Sequence, residues 1–467
     1  MITESKTLSS WALLLLIAGQ LLPQVDFSIV NVALAAMRPS LHTNETGLIL
    51  IVAVYGLSFS VLMATGARLG DRYGRKKIFM LGIVGFALAS TGCGLAHSIV
   101  PMLLGRFGQG IFGALLMPQI LTIIHATLSG ERHSKAVGIY TAAAGLSFVI
   151  GQVLGGWLVS ADLGGLGWRI AFFINIPVCL VILVFGSKLI PETRALEYIP
   201  MDVGGIIWLA ATLLSLLIPV VLGEHWPSLL WFLVAVAPLA WGLWRCERYQ
   251  EQQQNQPLLP PSLFQQKIVR MGFLGEMTVT FIYSGYLFVT ALFLQSVLHY
   301  TPAQSGNAFL VLGILFFVTS LLSKRLASLV RLSKLLAIGA LLSALGMASI
   351  WLVFWQQGTA TAIWDLSASM ALVGVGNALM VSSSFRMVLS HVRTQQASAA
   401  SSALTTIQQA CFALGTSVAG ALYSVMLPLG SLLAVAMVFG LLMMVLLVSG
   451  SRIGLSCGPN CSQIVLR

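Results

Sequence analysis

The sequence is poor in charge. Of its 467 residues only 8% are charged, whereas 57% are hydrophobic and the mean hydropathy is +0.92. A soluble protein carries roughly 25% charged residues, and the apolar runs here are too many and too long for the core of a soluble domain. The composition therefore predicts an all-α integral membrane protein.

The net charge of +11 would suggest nucleic-acid binding in a soluble chain. Here the cations lie at the ends of apolar runs, which favours topology signals and contacts with lipid headgroups. We therefore expect membrane lipids as partners and no nucleic acid.

Several chemical motifs are also missing. The sequence has no G-x-x-x-x-G-K-[ST] phosphate loop and no hydrophilic domain, which excludes the ATPase half of a pump. It has no His-rich or paired-cysteine metal site and no nucleophile–base set, so we predict no metal, no cofactor and no enzymatic activity. The six cysteines are scattered and predict no disulfide framework. Cys457 and Cys461 in the tail are too few ligands for a metal.

The apolar runs predict about fourteen membrane-spanning helices of roughly 20 residues each. Of the 25 lysines and arginines, 22 fall in loops on one side of these spans, and five of them lie between residues 66 and 78. The positive-inside rule places those loops and both termini in the cytoplasm. The first apolar run could be read as a signal peptide, but its length and Asp26 within it favour a retained span.

The two ends of the chain look like repeats. A shift of 257 residues lays Arg68 on Arg325 and Lys77 on Lys334, at the same place in the topology. Duplicated six-helix halves around a site at the bilayer midplane are a transporter plan. The predicted domains are a six-helix bundle in 1–200, two additional spans in 201–246, a cytoplasmic linker in 247–269, a second six-helix bundle in 270–451 and a cytoplasmic tail in 452–467.

Two carboxylates inside spans are the strongest functional candidates. Asp26 lies in the first span and Glu276 in the ninth, where Thr280 and Tyr283 share the face of Glu276. A carboxylate at the bilayer centre costs about 2.5–3.5 kcal/mol on insertion scales, so it should face a bundle interior or a cavity. A desolvated carboxyl can bind a proton or a cationic substrate in turn. The alternative is a structural hydrogen bond to a neighbouring helix.

Arg106 is the only cation within a predicted span, and Gln109 follows it at helical spacing. A buried guanidinium needs an acceptor, which a backbone carbonyl, Gln109 or a carboxylate on a neighbouring helix could provide. Close to an acid it would lower the pKa of that acid, and at a distance it would release it, which would suit a proton relay. Snorkelling of the side chain to an interface is the alternative.

Glycines cluster in the fifth span, at Gly151, Gly155 and Gly156. Small residues let helix backbones approach closely, and repeated glycines permit bending. These positions therefore serve either helix packing or a sliding seal between the two halves.

The basic loop after the second span resembles the cytoplasmic signature of the major facilitator superfamily, through Leu69, Asp71, Arg72, Gly74, Arg75 and Lys76. Other stretches resemble signatures of that superfamily's fourteen-span drug:proton antiporters: Val25-Asp26 to Leu34, Arg106 to Pro118, Trp168 to Pro177 and Pro257 to Phe264. The fifth-span signature has Gln152 where the antiporters usually have proline, which leaves the direction of transport open.

The resemblance implies a major-facilitator fold, with two six-helix bundles and two extra central spans. It also implies a monomeric multidrug efflux protein of the bacterial inner membrane that works by alternating access. Protons would drive the export of hydrophobic or cationic small molecules. The alternatives are a proton-linked carrier of a specific metabolite, either exporter or importer, and a non-transporting membrane receptor or enzyme.

The expected transporter function gives roles to individual residues. Asp26 would bind proton or substrate, Glu276 would assist with cations, and Arg106 would modulate the acid. The cavity would be lined by Tyr55, Gln109, Thr280 and Tyr283. Asp71 is not needed for topology, so with Arg72, Gly74 and Arg75 it would form a cytoplasmic gate that latches the two halves.

Overall fold

The computed structural model describes residues 8–194, 202–223, 226–253, 255, 257–392 and 397–456. Of the predicted tail, residues 452–456 belong to the last helix, and Cys457 and Cys461 lie outside the described residues. The described residues form sixteen α-helices and no β-strand. The helices are α1 (Ser10–Ser40), α2 (Glu45–Tyr73), α3 (Arg75–Gly94), α4 (Ile99–Thr127), α5 (Gly130–Ala161), α6 (Ile170–Phe173), α7 (Asn175–Leu189), α8 (Val203–Leu222), α9 (Phe232–Gln252), α10 (Lys267–Ser296), α11 (Pro302–Ala308), α12 (Leu310–Leu329), α13 (Leu332–Gln357), α14 (Ser367–Leu389), α15 (Ala397–Met426) and α16 (Ser431–Ser456).

The helices are built to cross a bilayer. Thirteen stretches of the described residues are long and apolar enough to do so, and Val149–Ala161 in α5 is a shorter apolar stretch. The pairs α6–α7 and α11–α12 each make one such stretch. In hydrocarbon every backbone N–H and C=O must be paired within the protein, and a helix does this within its own segment. The predicted all-α membrane architecture is confirmed.

The two halves pack in the same way. In the first half α1 packs against α5, and α2 and α3 pack against α4. In the second half α10 packs against α15, and α12 and α13 pack against α14. The halves meet along two seams, one between α2 and α15 and the other between α5 and the α11–α12 pair. This arrangement agrees with the repeat that the 257-residue shift suggested.

The seam between α5 and α11 is tight near the C-terminal end of α5. A Cβ on Gly156 would clash with the Pro302 carbonyl oxygen, and one on Gly306 would stand 2.5 Å from the Gln152 carbonyl oxygen. Two hydrogen bonds cross the seam there: the Ala303 N–H donates to Ser160 Oγ at 2.9 Å, and Trp157 donates to Asn307 at 2.9 Å. Toward the opposite end of α5, a cleft is lined from both halves by Met63, Met117, His125, Tyr140, Ser401 and Thr405.

Helices α8 and α9 form a hairpin beside the two halves. Leu209 and Leu213 of α8 pack in one apolar cluster with Leu57 of α2 and Ala410 of α15, so α8 contacts both halves. Helix α9 extends to Gln252, past the 201–246 range predicted for the two additional spans. Hydropathy marks where the apolar part ends, whereas the helix continues into its polar end.

Candidate functional site

Asp26 of α1 lies at the centre of a buried polar cluster in the first half. Arg106 Nη1 of α4 donates to Asp26 Oδ2 at 2.5 Å, and both side chains are fully buried. The other oxygen, Oδ1, accepts hydrogen bonds from Gln109 at 2.9 Å and from Asn175 of α7 at 2.8 Å. Both carboxylate oxygens therefore have donors, one of them a cation, as a buried charge requires.

Arg106 has partners besides the carboxylate. Its Nε donates to the Ile51 carbonyl at 3.0 Å, and Nη1 also donates to Gln109 Oε1 at 2.8 Å. The guanidinium carbon lies 4.1 Å from the ring centroid of Tyr55 and 5.9 Å from that of Phe172. A cation held over an aromatic face gains electrostatic attraction, more so when it is desolvated. The sequence alternative of snorkelling does not describe this side chain, which is 0% exposed.

Local sequence explains why these groups meet. Arg106 and Gln109 are three residues apart on α4 and therefore share one helix face. Gly110 follows, and a Cβ there would clash with Ser58 Oγ of α2, so the missing side chain lets α4 press its polar face against α2. Tyr55 is fixed in turn because its hydroxyl donates to the Pro23 carbonyl at 2.8 Å.

Glu276 of α10 is the counterpart in the second half, and its surroundings differ. Its Oε1 accepts hydrogen bonds from Thr280 at 3.2 Å and from Gln408 of α15 at 3.0 Å. Its Oε2 is buried and has no hydrogen-bond partner. Among the described residues, no cation forms a salt bridge with it. This carboxyl is therefore arranged as a neutral acid or as one side of a site for a cationic group.

A row of aromatic rings leads from Tyr55, beside Arg106, to Tyr283, which lies on α10 about two helical turns after Glu276. It runs from Tyr55 to Phe27 (6.0 Å between centroids), to Phe412 of α15 (4.9 Å) and to Tyr283 (6.5 Å). Tyr283 in turn stacks with Phe316 at 6.4 Å. We call this row the aromatic bridge. Tyr55 and Tyr283 are buried members of the aromatic bridge in this conformation. Their lining of an open cavity stays a prediction.

The glycines of the fifth span face two partners. A Cβ on Gly151 would stand 2.6 Å from Ser28 Cβ, and one on Gly155 would stand 2.8 Å from Ile29 Cγ1, both in α1. Gly156 faces Pro302 across the seam between α5 and α11. Gln152 is 1% exposed, and neither polar atom of its side-chain amide has a hydrogen-bond partner. The glycines thus lie both within the first half and at its contact with the second.

The cytoplasmic motif is organised within the first half. Arg75 donates to Asp71 at 2.8 Å, and the Lys76 N–H donates to Glu192 at 3.0 Å. Gly74 ends α2 with φ 110°, a conformation that favours glycine. Arg72 lies with its guanidinium carbon 5.2 Å from the ring centroid of Tyr73. A latch from Asp71 across the halves stays a prediction for another conformation.

Three residues of the two polar centres received no role from the sequence. Asn175 binds Asp26, Ser90 of α3 accepts a hydrogen bond from Gln109 at 2.8 Å, and Gln408 binds Glu276. Asn175 stands in the sixth-span signature, which was the available signal. The hydrogen-bond partners of uncharged polar side chains in apolar runs cannot be predicted unless the packing of the helices is known.

The sequence profile of the Major Facilitator Superfamily matches residues 16–416. The chain belongs to the major facilitator superfamily. Members of this superfamily are carriers rather than enzymes. The many apolar helices and this membership make the protein a multi-pass membrane protein.

Named relatives include several exporters. The chain is 32% identical over 417 residues to a probable actinorhodin transporter of Streptomyces coelicolor, covering 88% of this chain and 72% of that protein. It is 30% identical to the tetracenomycin C resistance and export protein of Streptomyces glaucescens, covering 88% and 76%. It is also 30% identical to the cephamycin export protein of Amycolatopsis lactamdurans, covering 89% and 85%.

Solved structures share the fold at low sequence identity. An auto-inhibited peptide transporter of the POT family superposes with a TM-score of 0.70 at 13% identity, covering 95% of this chain and 96% of that one. A bacterial homologue of the lysosomal transporter Spinster, in an inward-facing conformation, gives 0.65 at 17% identity with 96% of both chains covered.

Proposed function

We propose that the protein is a fourteen-span drug:proton antiporter of the bacterial inner membrane. It exports hydrophobic or cationic toxic compounds, antibiotics among them, by alternating access of its two halves. Counting α5 with the thirteen long apolar stretches supports the span number, and the names of the relatives support export.

The observation that carries this proposal is the contrast between two buried carboxyls on facing halves. In this conformation Asp26 is neutralised by Arg106, whereas Glu276 has no cation. A movement that separates Arg106 from Asp26 leaves the carboxylate uncompensated, so it takes up a proton. Binding of a cationic substrate at Glu276 and of a proton at Asp26 then occur in different conformations, as exchange requires.

The aromatic bridge suits lipophilic substrates. Its rings offer apolar faces between the two polar centres, and aromatic faces also attract cations. Phe27 and Phe412 come from opposite halves, so relative movement of the halves would open the bridge.

A second candidate is a proton-linked carrier of one specific metabolite. It is favoured by relatives whose names refer to single compounds, such as actinorhodin and cephamycin. The same coupling residues would serve it, and only the range of accepted substrates would differ.

The test is proton–substrate exchange in proteoliposomes with Asp26→Asn. We expect the variant to fold but to lose proton movement driven by a lipophilic cation such as tetraphenylphosphonium. The matched control is Asp365→Asn, because Asp365 accepts the Ala362 N–H just before α14, away from both polar centres. Exchange that persists in Asp26→Asn would overturn the coupling role. A panel of dyes, quaternary ammonium compounds and antibiotics distinguishes multidrug export from the narrow carrier.

A further inference from the structure

The cytoplasmic end of the α8–α9 hairpin holds two buried carboxyls that the proposed exchange does not use. Asp202 immediately precedes α8, and Glu247 lies near the end of α9; they are 4% and 1% exposed. Asp202 Oδ2 and Glu247 Oε1 each lie 2.5 Å from the point where a Cβ on Gly205 would stand. The two oxygens are thus within about 5 Å of each other, where two negative charges repel strongly.

Each carboxyl uses one oxygen and leaves the other without a donor. Asp202 Oδ1 accepts the Gly205 N–H at 2.8 Å and so caps α8, and Glu247 Oε2 accepts the Leu259 N–H at 3.0 Å. Asp202 Oδ2 and Glu247 Oε1 are buried with no hydrogen-bond partner. One proton between the two carboxyls would supply a donor and remove the repulsion, as in other close carboxylate pairs.

The cation beside this pair is Arg68 of α2. Burial lowers the pKa of the Arg68 guanidinium, and the carboxylates of Asp71, Asp202 and Glu247 oppose that shift. Asp71 is also paired with Arg75. One guanidinium therefore faces two further carboxyls, and a single proton on the pair would balance the charge. The other groups facing the pair include the Cys246 thiol and the backbone N–H groups of Leu258 and Leu259.

The hairpin end connects the two halves. Arg68 belongs to the helix that ends in the cytoplasmic motif of the first half. Glu247 and Glu251 hold the segment that leads into α10 of the second half, since Glu251 accepts the Ser262 N–H at 3.1 Å. The strength of the attraction between Arg68 and the pair therefore bears on how firmly the halves are joined on the cytoplasmic side.

We propose that Asp202 and Glu247 form a second proton-binding site, which holds one shared proton and sets how tightly Arg68 fastens the hairpin to the first half. With the proton bound, one carboxylate faces one guanidinium. Loss of the shared proton adds a negative charge to the pair and strengthens its attraction to Arg68. Acidification of the cytoplasmic side therefore weakens the contact between the hairpin and the first half. Proton binding by Asp202 and Glu247 does not depend on the proposed export. Only the effect of this proton on turnover rests on the proposed function.

The test follows the thermal unfolding of the full-length purified protein between about pH 5 and pH 8. Carboxyls in the unfolded chain release their protons below this range, so the shared proton makes the folded protein lose stability as pH rises through the titration of the site. We expect this fall in Tm to be about 2 °C smaller in Asp202→Asn than in the parent. Asparagine still caps a helix, so this variant should fold.

Three further variants sharpen the assignment. Glu247→Gln should flatten the pH dependence like Asp202→Asn. Glu251→Gln is the matched control, one turn further along α9, and should behave like the parent. Arg68→Gln should move the midpoint of the transition upward by about one pH unit, because the site loses its neighbouring cation.

The outcomes are distinct. Equal pH dependence in the parent and Asp202→Asn would overturn the site, as would flattening by Glu251→Gln. A Tm profile that moves with Na⁺ or Mg²⁺ at fixed ionic strength would show that a metal cation, not a proton, is bound. In proteoliposomes, cytoplasmic-side acidification should raise turnover of the parent but not of Asp202→Asn. Equal responses would overturn the regulatory part, whereas a parent without any exchange would contradict the proposed export and leave the proton site intact.

Discussion

The two halves share one packing plan but treat their central carboxyls differently. Asp26 has three donors from two neighbouring helices, including the Arg106 guanidinium. Glu276 has two uncharged donors on one oxygen and none on the other. Desolvating a carboxylate costs several kcal/mol unless a cation and hydrogen bonds compensate. The first half therefore holds a compensated charge in this conformation, whereas among the described residues no cation forms a salt bridge with the central carboxyl of the second half.

The contrast shows how a duplicated scaffold divides its tasks. Backbone packing is common to both halves, since α1 meets α5 as α10 meets α15. A few polar side chains then decide whether the central carboxyl of each half has a compensating cation. Three substitutions would break or sharpen this comparison.

The largest effect is expected for Arg106→Met. It removes the cation from a fully buried pair and leaves Asp26 uncompensated, which costs about 3–5 kcal/mol of folding free energy. Thermal unfolding in detergent measures the loss. Adding Asp26→Asn to this variant should recover part of the stability, because the unpaired charge is then gone. Unchanged stability in Arg106→Met would show that the pairing of Arg106 with Asp26 does not stabilise the fold.

A smaller effect is expected for Asn175→Ala, which deletes one donor to the charged Asp26. A hydrogen bond to a charged group contributes about 1.5–3 kcal/mol. The matched change in the second half is Asn377→Ala, since Asn377 Nδ2 has no hydrogen-bond partner and its Oδ1 accepts a 3.4 Å bond from Ser343. Thermal unfolding should rank the first variant well below the second, and equal losses would contradict the difference between the halves.

The smallest change in stability is expected for Glu276→Gln. The amide can still accept from Thr280 and Gln408, and no ion pair is broken, so folding free energy should change by less than about 1 kcal/mol. Export of a lipophilic cation should fall at least about tenfold, while export of a neutral compound continues; a tenfold loss corresponds to about 1.4 kcal/mol of binding. Parallel transport assays check this, and equal loss of both substrates would deny Glu276 a role specific to cations.

Much of the fold and part of the site could be predicted from the sequence. The thickness of the bilayer acts through composition, so the apolar spans are readable from the sequence. The orientation that the positive-inside rule gives stays a prediction. Arg106 also had to find an acceptor once it lay inside a span, and a carboxylate on a neighbouring helix was among the possibilities. The pairing with Asp26 is the outcome of that constraint.

The remainder depends on packing. Asn175, Ser90 and Gln408 are uncharged, and such side chains can be satisfied in many ways within a helical bundle, so their roles were not predicted. Asp71 was expected to act across the halves, but a pairing partner one turn away, Arg75, is available within the same half in this conformation. The continuation of α9 to Gln252 was not predicted, because hydropathy identifies only the apolar part of a helix and not its polar end.

Helix α8 makes the two seams of the protein unequal. It lies against both α2 and α15, so lipid on that side meets a continuous three-helix surface. Among the described residues, no further helix is packed across the seam between α5 and α12. A compound dissolved in the bilayer would therefore meet α8 at the first seam and α5 and α12 directly at the second.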